Sequence, residues 1–412
     1  MKASIVLLVP FAWRNLWRRP RRTLPSLFSI ALVVAILVFM LSFQLSVYAS
    51  MKQNTLRIYD GYAQIQPKGF LADPTLDRTI AQPRMLLRRS LRIDGVSAAA
   101  PRVNAFAIMS NGGRSYGAAV IGVDPQEERK VSSIAATIRR GRYLMPGDVN
   151  SIVLGDMLAR NLGVSAGRSV TLLGEARDGS VAADVLQVVG VFHSAIPELD
   201  RSILEMPLKR AQDDFAMAGG VNTIVIGGRS LAKVNDALPG LRRIAASQGA
   251  VVLGWSELEP ALRDAIALDM SIGALLYATL VAVVAFIILN TLLMSVLERT
   301  REFGTLMAVG MRPDLIGRMV WIELLSLAAA GCLVGFAVGA AVTLKLEQVG
   351  VVLSGVGELF ARFGVPPRIY PALTPASALI GPAALLAAIA LGGLVPYLRV
   401  RRLTAASAMR AT

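Results

Sequence analysis

The stretch ERTREFGTLMAVGMRPDLIGRM, from Glu298 to Met319, is a charged segment that lies between two long apolar ones. Upstream, residues 270–297 carry no charged side chain, and downstream residues 320–344 carry only Glu323. Because about 20 apolar residues cross the hydrocarbon core of a bilayer as a helix, each flank is long enough to span a membrane. The quoted stretch is therefore predicted to be a short connector at one face of the membrane.

The connector carries apolar residues at helical spacing, namely Phe303, Leu306, Met307 and the pair Gly310 and Met311. Its charged residues Arg299, Arg301 and Glu302 fall elsewhere on such a helix. The pattern predicts an amphipathic turn and helix with an exposed apolar side, and Phe303 and Met307 are expected to bury against a partner. A basic loop at a membrane end, without a partner, is the alternative interpretation.

Four apolar segments in this chain of 412 residues are long enough to span a membrane. They leave one long region of mixed charge as the place for a globular domain. We predict a membrane α-helical protein with four transmembrane helices and a large α+β extracytoplasmic domain inserted between helices 1 and 2. The predicted segments, in chain order, are an interfacial helix (1–23), transmembrane helix 1 (24–48), the extracytoplasmic domain (49–269), transmembrane helix 2 (270–297), the connector (298–319), transmembrane helix 3 (320–344), a short extracytoplasmic loop (345–372), transmembrane helix 4 (373–395) and a tail (396–412).

The net charge of +15 is concentrated at the ends of the apolar segments. Basic residues precede the first segment and follow the last without an acidic one among them: Lys2, Arg14, Arg18, Arg19, Arg21 and Arg22, then Arg399, Arg401, Arg402 and Arg410. Since such charge marks the cytoplasmic side, both termini and the connector are predicted to be cytoplasmic. The first apolar run exceeds the roughly 7 to 15 residues of a signal-peptide core, so we expect it to be retained as a helix. No groove pattern of aromatic and basic residues accompanies the charge, which argues against a nucleic-acid partner.

Residues 49–269 contain short runs rich in β-branched residues, separated by turn sequences such as NGG, VDP and RDGS. These runs, which include GYAQIQPKG, SYGAAVIGV and VLQVVGVF, are predicted strands. Residues 72–94 and 230–248 are predicted helices. The mixture indicates an α+β domain and not a repeat array.

No catalytic or cofactor-binding motif is present in the sequence. Because there is no G-x-x-x-x-G-K-[ST] loop, the chain cannot cradle nucleotide phosphates in the Walker manner, and energy must come from another polypeptide. Cys332 and His193 are the single cysteine and histidine, which argues against a disulfide and against a metal site built from these residue types. We predict a non-catalytic membrane subunit that binds no cofactor.

Small residues form stripes on two of the predicted membrane helices. Gly331, Gly335 and Gly339 recur every four residues, which predicts the close approach of another helix, from the same chain or from another subunit. A similar stripe on the second segment consists of Ala274, Ala278 and Ala282.

Two polar residues, Asn290 and Glu323, fall at membrane depth in the predicted helices. An unpaired carboxylate there costs about 2.5 to 3.5 kcal/mol, so both residues are expected to have polar partners. Glu323 lies close to the connector, and the connector arginines are its expected partners.

The connector and its downstream flank, read together, resemble the signature of the FtsX/MacB-like permease family of ABC transporters. That signature is E-R-x-x-E-[IF]-G-x-x-x-A-x-G-x(5)-I-x(6)-E, and it is matched here by Glu298, Arg299, Glu302, Phe303, Gly304, Ala308, Gly310, Ile316 and Glu323. The closing segment from Pro396 to Arg410 resembles the family's last motif. The order of short motifs in residues 121–213 is similar to that of the extracytoplasmic domain of lipoprotein-release (LolC/LolE-like) permeases.

The resemblance implies a mechanotransmission type of ABC system in the bacterial inner membrane. In such a system the connector is a coupling helix that docks into a separate ATPase subunit, and that subunit binds ATP and Mg²⁺. The residues implied to make this contact are Glu298, Arg299, Arg301, Glu302, Phe303, Gly304, Met307 and Gly310. The other implied partners are a second permease copy or a paralogue in a dimer, membrane lipids, and a periplasmic protein or lipoprotein.

Two functions are compatible with this resemblance. The first is extraction or export of a lipoprotein or another hydrophobic substrate, driven by the ATPase. The second is transmission of motion that regulates an extracytoplasmic enzyme such as a cell-wall hydrolase. The large outer domain, of lipoprotein-release type, favours the first.

Overall fold

The structure, a computed structural model, describes residues 14, 20–194, 196–352 and 368–402. Most of the predicted interfacial helix, the middle of the predicted loop 345–372 and the end of the predicted tail lie outside this range. The described chain divides into two units. One comprises the residues up to Tyr48, Ile266–Val352 and those from Arg368 onward, and the other comprises Ala49–Ala265.

The helices and strands alternate through the sequence of the second unit, whereas the first unit consists mainly of long helices. In chain order the elements are α1 (Pro20–Thr55), a π-helical turn (Leu56–Asp60), β1 (Ala63–Pro67), α2 (Pro83–Ser90), β2 (Ala98–Asn111), β3 (Arg114–Val123), α3 (Pro125–Val131), a 3₁₀ turn (Ile134–Thr137), β4 (Ile138–Gly141), β5 (Ser151–Gly155), α4 (Asp156–Leu162), β6 (Ser169–Glu175), β7 (Val181–Phe192), α5 (Pro197–Ser202), β8 (Ile203–Pro207), α6 (Leu208–Asp214), β9 (Thr223–Gly227), α7 (Leu231–Ala246), β10 (Ala250–Gly254), α8 (Trp255–Leu258), α9 (Pro260–Glu298), α10 (Thr300–Ala308), α11 (Pro313–Val349), β11 (Val351–Val352), β12 (Arg368–Ile369), α12 (Pro375–Gly392) and α13 (Leu394–Arg401).

Four helices are long and apolar enough to cross a membrane: α1, α9, α11, and α12 with its continuation α13. They pack through one buried cluster, to which each helix contributes a side chain at most 2% exposed, namely Ile30, Ile288, Leu324 and Leu385. The opposite faces are also apolar, as at Phe286 of α9, which is 72% exposed. Helices that are apolar all round are typical of membrane spans, because lipid covers the outward faces.

A ten-stranded mixed sheet forms the centre of the second unit. The strand order is β10-β1-β9-β2-β3-β8-β5-β7-β4, and β6 pairs with both β2 and β7. Most neighbours are antiparallel, but β3–β8 and β5–β7 are parallel pairs. The long strand β2 holds the sheet together, because it pairs with β3 along ten residues and also with β6 and β9.

The predicted helix over residues 72–94 is wrong for most of its length. The structure places turns through residues 68–79, and only α2 is helical there. Pro74 and Pro83 give the physical reason, since a proline lacks the backbone N–H and favours a first helical position over an interior one. By contrast, the predicted helix over residues 230–248 corresponds to α7, whose N-cap Ser230 accepts a hydrogen bond from the Lys233 amide at 3.3 Å.

A network of buried charged and phenolic side chains lies inside the second unit. Arg102 of β2 donates two hydrogen bonds to Glu128 of α3, at 2.5 and 3.1 Å, and its guanidinium lies 4.6 Å from the centre of the Tyr59 ring. Glu205 of β8 is fully buried and accepts a hydrogen bond from the Tyr143 hydroxyl at 2.7 Å. Burial, together with the charge of Glu128, raises the pKa of Glu205 from 4.5 to about 8.

Candidate functional site

The connector is a short helix between two tight turns. The helix α9 ends at Glu298, Arg299 leaves the helical conformation with φ −93° and ψ 5°, and α10 follows from Thr300. At the other end Gly310 adopts a φ of 101°, and the amides of Gly310 and Met311 donate to the carbonyls of Met307 and Leu306, each at 3.0 Å. This pair of hydrogen bonds is a Schellman motif, which closes a helix and needs a residue that tolerates a positive φ. The sequence MAVGM therefore stops α10 and lets α11 begin at Pro313.

Phe303 lies inside the chain and not on its surface. Its ring is fully buried in a cluster formed with Val296 of α9, with Ile316, Met319 and Val320 of α11, and with Val400 of α13. Met307 packs against this cluster and is partly buried. The expectation that Phe303 faces a partner is therefore wrong. Helical spacing identifies the residues that share a face, but this face is covered by the chain's own spans.

Arg299 connects the three helices that meet at the connector. Its guanidinium donates to Glu302 of α10 and to Glu323 of α11, with both donor–acceptor distances at 3.2 Å, and lies 5.3 Å from the centre of the Phe303 ring. The side chains of Arg299 and Glu323 are each 15% exposed. Glu323 thus pairs with a connector arginine, and the pair joins the end of α9 to α11.

The exposed apolar part of the connector is the turn after α10. Val309 is 84% exposed and Met311 is 39% exposed, and they flank the exposed Gly310. Exposed charged residues lie elsewhere on the connector, with Arg301 and Glu302 in the first turn of α10 and Arg312 just before α11. We call residues 308–312 the connector tip. An exposed apolar turn that ends at a charged residue, Arg312, is suited to bind another protein.

The other residues that the sequence analysis singled out differ in their exposure. Glu298 is exposed at the end of α9, and Gly304 is buried in α10. Asn290 is exposed on α9 and makes no hydrogen bond with the described residues, so the polar partner expected for it is not found in this part of the chain.

The glycine stripe of α11 is covered by α1. A methyl group at Gly331 would lie 2.5 Å from the Ile30 side chain, and one at Gly335 would lie 2.4 Å from the Ala31 carbonyl oxygen. At Gly339 the nearest atoms belong to the Ala35 backbone, at 2.9 Å. Glycine is required along this face because only its absent side chain lets the two backbones approach so closely.

A cavity of about 470 Å³ opens between α1, α9 and α12. Its walls are almost entirely apolar, and the alanine stripe of α9 forms one of them. The lining residues are Leu37, Leu41, Gln44, Leu45, Tyr48, Met270, Ala274, Tyr277, Ala278, Val281, Ala282, Ile380, Gly381, Ala384 and Ala388. Its volume falls in the range of roughly 300 to 1,000 Å³ that is typical of ligand pockets. The alanine spacing identified a stripe of small residues on α9, but spacing alone does not reveal a cavity.

A cluster of polar side chains adjoins one end of this cavity. The Tyr48 hydroxyl and the Gln44 amide donate to Oδ2 of Asp269, the latter at 3.3 Å. Gln44 also accepts a hydrogen bond from the Tyr277 hydroxyl at 2.8 Å. Gly273 provides the space for Gln44, since a methyl group there would lie 2.7 Å from the amide nitrogen.

The single histidine belongs to an ordinary loop arrangement. Nδ1 of His193 lies 2.7 Å from Oδ2 of the buried Asp200, whose other oxygen accepts from the amide and the hydroxyl of Ser194, each at 2.7 Å. Among the described residues no group of three histidine, cysteine or acidic side chains could hold a metal ion.

Two family patterns match the chain, one over each part of the architecture. The MacB-like periplasmic core domain matches residues 26–242, which is more than half of the chain, and the FtsX-like permease C-terminal domain matches residues 274–405. The chain belongs to the FtsX/MacB family of ABC transporter permeases. Permease components of this kind are the non-catalytic subunits of their transporters, and the four apolar helices accord with an inner-membrane protein.

The permease is similar to named relatives along most of its length. It is 26% identical over 412 residues to the lipoprotein-releasing system transmembrane protein LolC of Neisseria meningitidis serogroup B, covering 94% of each chain. It is also 26% identical over 334 residues to the corresponding protein LolE of Haemophilus influenzae, covering 78% of this chain and 77% of that one. The crystal structure of the periplasmic region of MacB from Actinobacillus actinomycetemcomitans aligns with a TM-score of 0.35 and 13% identity, over 49% of this chain and 92% of that one.

Proposed function

We propose that this permease couples ATP hydrolysis by a separate ABC ATPase to the extraction of a lipoprotein, or of another hydrophobic substrate, from the membrane. The observation that carries the coupling role is the connector, which is fixed to two spans by Phe303 and by the Arg299–Glu323 pair and exposes its tip. A tip that is held rigidly and exposes apolar residues is suited to bind a partner and to be displaced when that partner moves.

The second span can transmit that displacement. The helix α9 is unbroken from Pro260 to Glu298, and 39 residues of α-helix measure about 58 Å. One end adjoins the connector, and the other follows strand β10 of the sheet-containing unit by only a few residues. A displacement of the tip would therefore be transmitted along α9 as a rigid-body movement.

The apolar cavity and the names of the relatives support the proposed substrate class. A cavity with apolar walls between membrane helices suits acyl chains, and LolC and LolE are named as lipoprotein-releasing proteins. The cavity favours transport over regulation of an outer enzyme, because a subunit that only transmits motion has no need of a site for a hydrophobic ligand.

The proposed assembly places both termini and the connector in the cytoplasm and the sheet-containing unit outside. The chain itself binds no nucleotide, and ATP and Mg²⁺ are bound by the ATPase. The active complex contains a second permease, as an identical copy or a paralogue, surrounded by membrane lipids, with a periplasmic protein or lipoprotein as outer partner and no nucleic acid.

The test of the coupling role is Val309→Asp, measured on the permease purified together with its ATPase. We expect the substitution to release the ATPase or to abolish substrate-stimulated hydrolysis, because the new charge lies at the centre of the contact. Val149→Asp is the matched control, since Val149 is 61% exposed on the other unit. Full retention of the ATPase and of its turnover in Val309→Asp would contradict the coupling role.

A further inference from the structure

A small pocket of about 260 Å³ lies in the sheet-containing unit. Its walls come from three segments: the end of α1 with the π-helical turn that follows, the end of α3, and the end of β9 with the residues after it. The walls are mostly polar, and the pocket shares no lining residue with the apolar cavity of the helical unit. Because its volume is below the range of roughly 300 to 1,000 Å³ that is typical of pockets for larger ligands, it suits a small polar group.

Three cationic side chains line this pocket, one from each segment: Arg57, Lys130 and Arg229, all of them exposed. Among the described residues no acidic one lines it. Nζ of Lys130 pairs at 2.9 Å with Glu127, which lies outside the lining. Arg57 and Arg229 form no ion pair and no side-chain hydrogen bond within the described part of the chain. Like charges gathered around one pocket repel each other, and a bound anion would replace that repulsion with attraction.

Backbone hydrogen bonds hold the three segments together. The amide of Ser133, just after α3, donates to the Arg57 carbonyl at 2.7 Å, and the Tyr62 amide donates to the Ile226 carbonyl of β9 at 2.9 Å. Gly61 lets the π-helical turn approach β9, since a methyl group there would lie 2.3 Å from a side chain of that strand. Single π-helical turns are rare and occur frequently at functional sites. The three cationic residues therefore start from fixed backbone positions around the pocket.

We propose that this pocket binds a phosphate group through Arg57, Lys130 and Arg229. A guanidinium group carries a permanent charge and presents parallel N–H donors that match two phosphate oxygens, and an ammonium group adds a point charge. A phosphate monoester has a charge of about −1.5 to −2 at pH 7, so three cations suit it better than they suit a singly charged carboxylate. No residue of the connector or of the apolar cavity takes part, and this site thus goes beyond the proposed transport function.

Two sources can supply such a group, namely inorganic phosphate in solution and the headgroup of an acidic lipid. The experiment measures binding to the full-length, delipidated permease in a sugar-based detergent by titration calorimetry. Ionic strength is held constant, because salt screens exposed charges. The probes form two matched pairs, which are inorganic phosphate with acetate, and dihexanoyl phosphatidic acid with dihexanoylglycerol. We expect at least one phosphate probe to bind about tenfold or more tightly than its matched partner, which is the size of a charge-assisted hydrogen bond.

The variants Arg57→Gln and Arg229→Gln should each weaken that binding about tenfold, because each removes one charged donor. Arg243→Gln is the matched control, since Arg243 is an exposed arginine of α7 that does not line the pocket, and it should leave binding unchanged. Binding of inorganic phosphate supports the site with a soluble anion as its ligand. Binding of phosphatidic acid without inorganic phosphate supports it with a lipid headgroup as the source.

The site would be overturned if the wild-type permease bound neither phosphate probe more tightly than its matched partner. It would also be overturned if the double variant of Arg57→Gln and Arg229→Gln bound these probes as tightly as the wild type does. Both side chains are exposed, so the double variant should fold, and its melting temperature without any probe checks this. If that temperature falls, the comparison of matched probes on the wild type decides alone.

Discussion

Arg299 donates a hydrogen bond to Glu323 at 3.2 Å, and this contact joins the residue after the second span to the body of the third. The same guanidinium holds Glu302 of the connector helix and covers the Phe303 ring. One side chain therefore fixes the angle between two spans and the short helix that links them. A movement of the connector tip cannot be absorbed at this corner while the contacts persist.

A double-mutant cycle on Arg299 and Glu323 measures the strength of this corner. We expect Arg299→Leu and Glu323→Leu each to lower the free energy of unfolding. The double variant should lower it by less than the sum of the two single effects. The coupling free energy should be about 1 to 2 kcal/mol, because both side chains are half-buried or more and share one contact. Thermal unfolding in detergent provides the measurement. Strict additivity of the two single effects would show that the pair contributes nothing.

Phe303→Ala should destabilise the helical unit by about 3 kcal/mol, since truncating a buried aromatic residue removes its contacts and leaves a cavity. Phe286→Ala is the matched control. Because Phe286 is 72% exposed on α9, its truncation should change the stability of the protein little. Unfolding temperatures of the two variants in the same detergent give the comparison. Equal shifts for both would contradict the buried position of Phe303.

The connector shows how far sequence reasoning reaches and where it stops. Charge, length and spacing located the connector between two spans and placed Phe303, Leu306 and Met307 on one face. They could not determine whether that face turns toward a partner or inward, because the answer depends on how α9, α11 and α13 pack around it. The exposed tip at Val309 and Met311 follows from the Schellman turn at Gly310, which is a three-dimensional feature.

The sheet-containing unit was predictable as a class and less so in its details. Runs of β-branched residues correctly indicated β1, β3 and β7, but residues 72–94 share the apolar spacing of a helix while prolines confine the helix to α2. The pairing of β2 with β9, more than a hundred residues later, has no local signal. The cavity and the cluster at Asp269 also depend on distant parts of the chain, since Gln44 and Tyr48 lie on another helix.

Gly335→Leu should separate α1 from α11 and lower both yield and thermal stability. The reason is steric, because a side chain at Gly335 meets the Ala31 carbonyl oxygen at 2.4 Å and the Val34 side chain at 2.7 Å. Ala337→Leu serves as the control, since Ala337 is exposed on the same helix. Expression level and melting temperature of the two variants decide the matter. A Gly335→Leu protein as stable as the control would mean that α1 does not pack on this stripe.

The proposed orientation can be tested with single cysteines in a Cys332→Ser background. Ser180 lies exposed in the turn between β6 and β7, and Thr305 lies exposed on α10. We expect a membrane-impermeant maleimide to label Ser180→Cys in intact spheroplasts, and Thr305→Cys only after the cells are opened. Labelling of Thr305→Cys in intact spheroplasts would reverse the topology, and with it the position of the ATPase.

Glu205 should make the stability of the sheet-containing unit depend on pH. Its pKa is about 8 in the folded protein and 4.5 ordinarily, so between these values the folded state holds a proton that the unfolded state has released. The contribution of Glu205 to the free energy of unfolding must then decrease as the pH rises through this window, by at most about 1.4 kcal/mol per pH unit, and level off above pH 8.

Glu205→Gln should reduce the pH dependence of the free energy of unfolding, because a neutral amide keeps the hydrogen bond with Tyr143 and has no proton to lose at these pH values. Glu175→Gln is the control, since Glu175 is exposed on β6 and should leave the slope unchanged. Melting temperatures of the full-length variants at pH 5, 6.5 and 8 provide the slopes. A slope in Glu205→Gln equal to that of the wild type would assign the pH dependence to another group and refute a protonated Glu205 in the core.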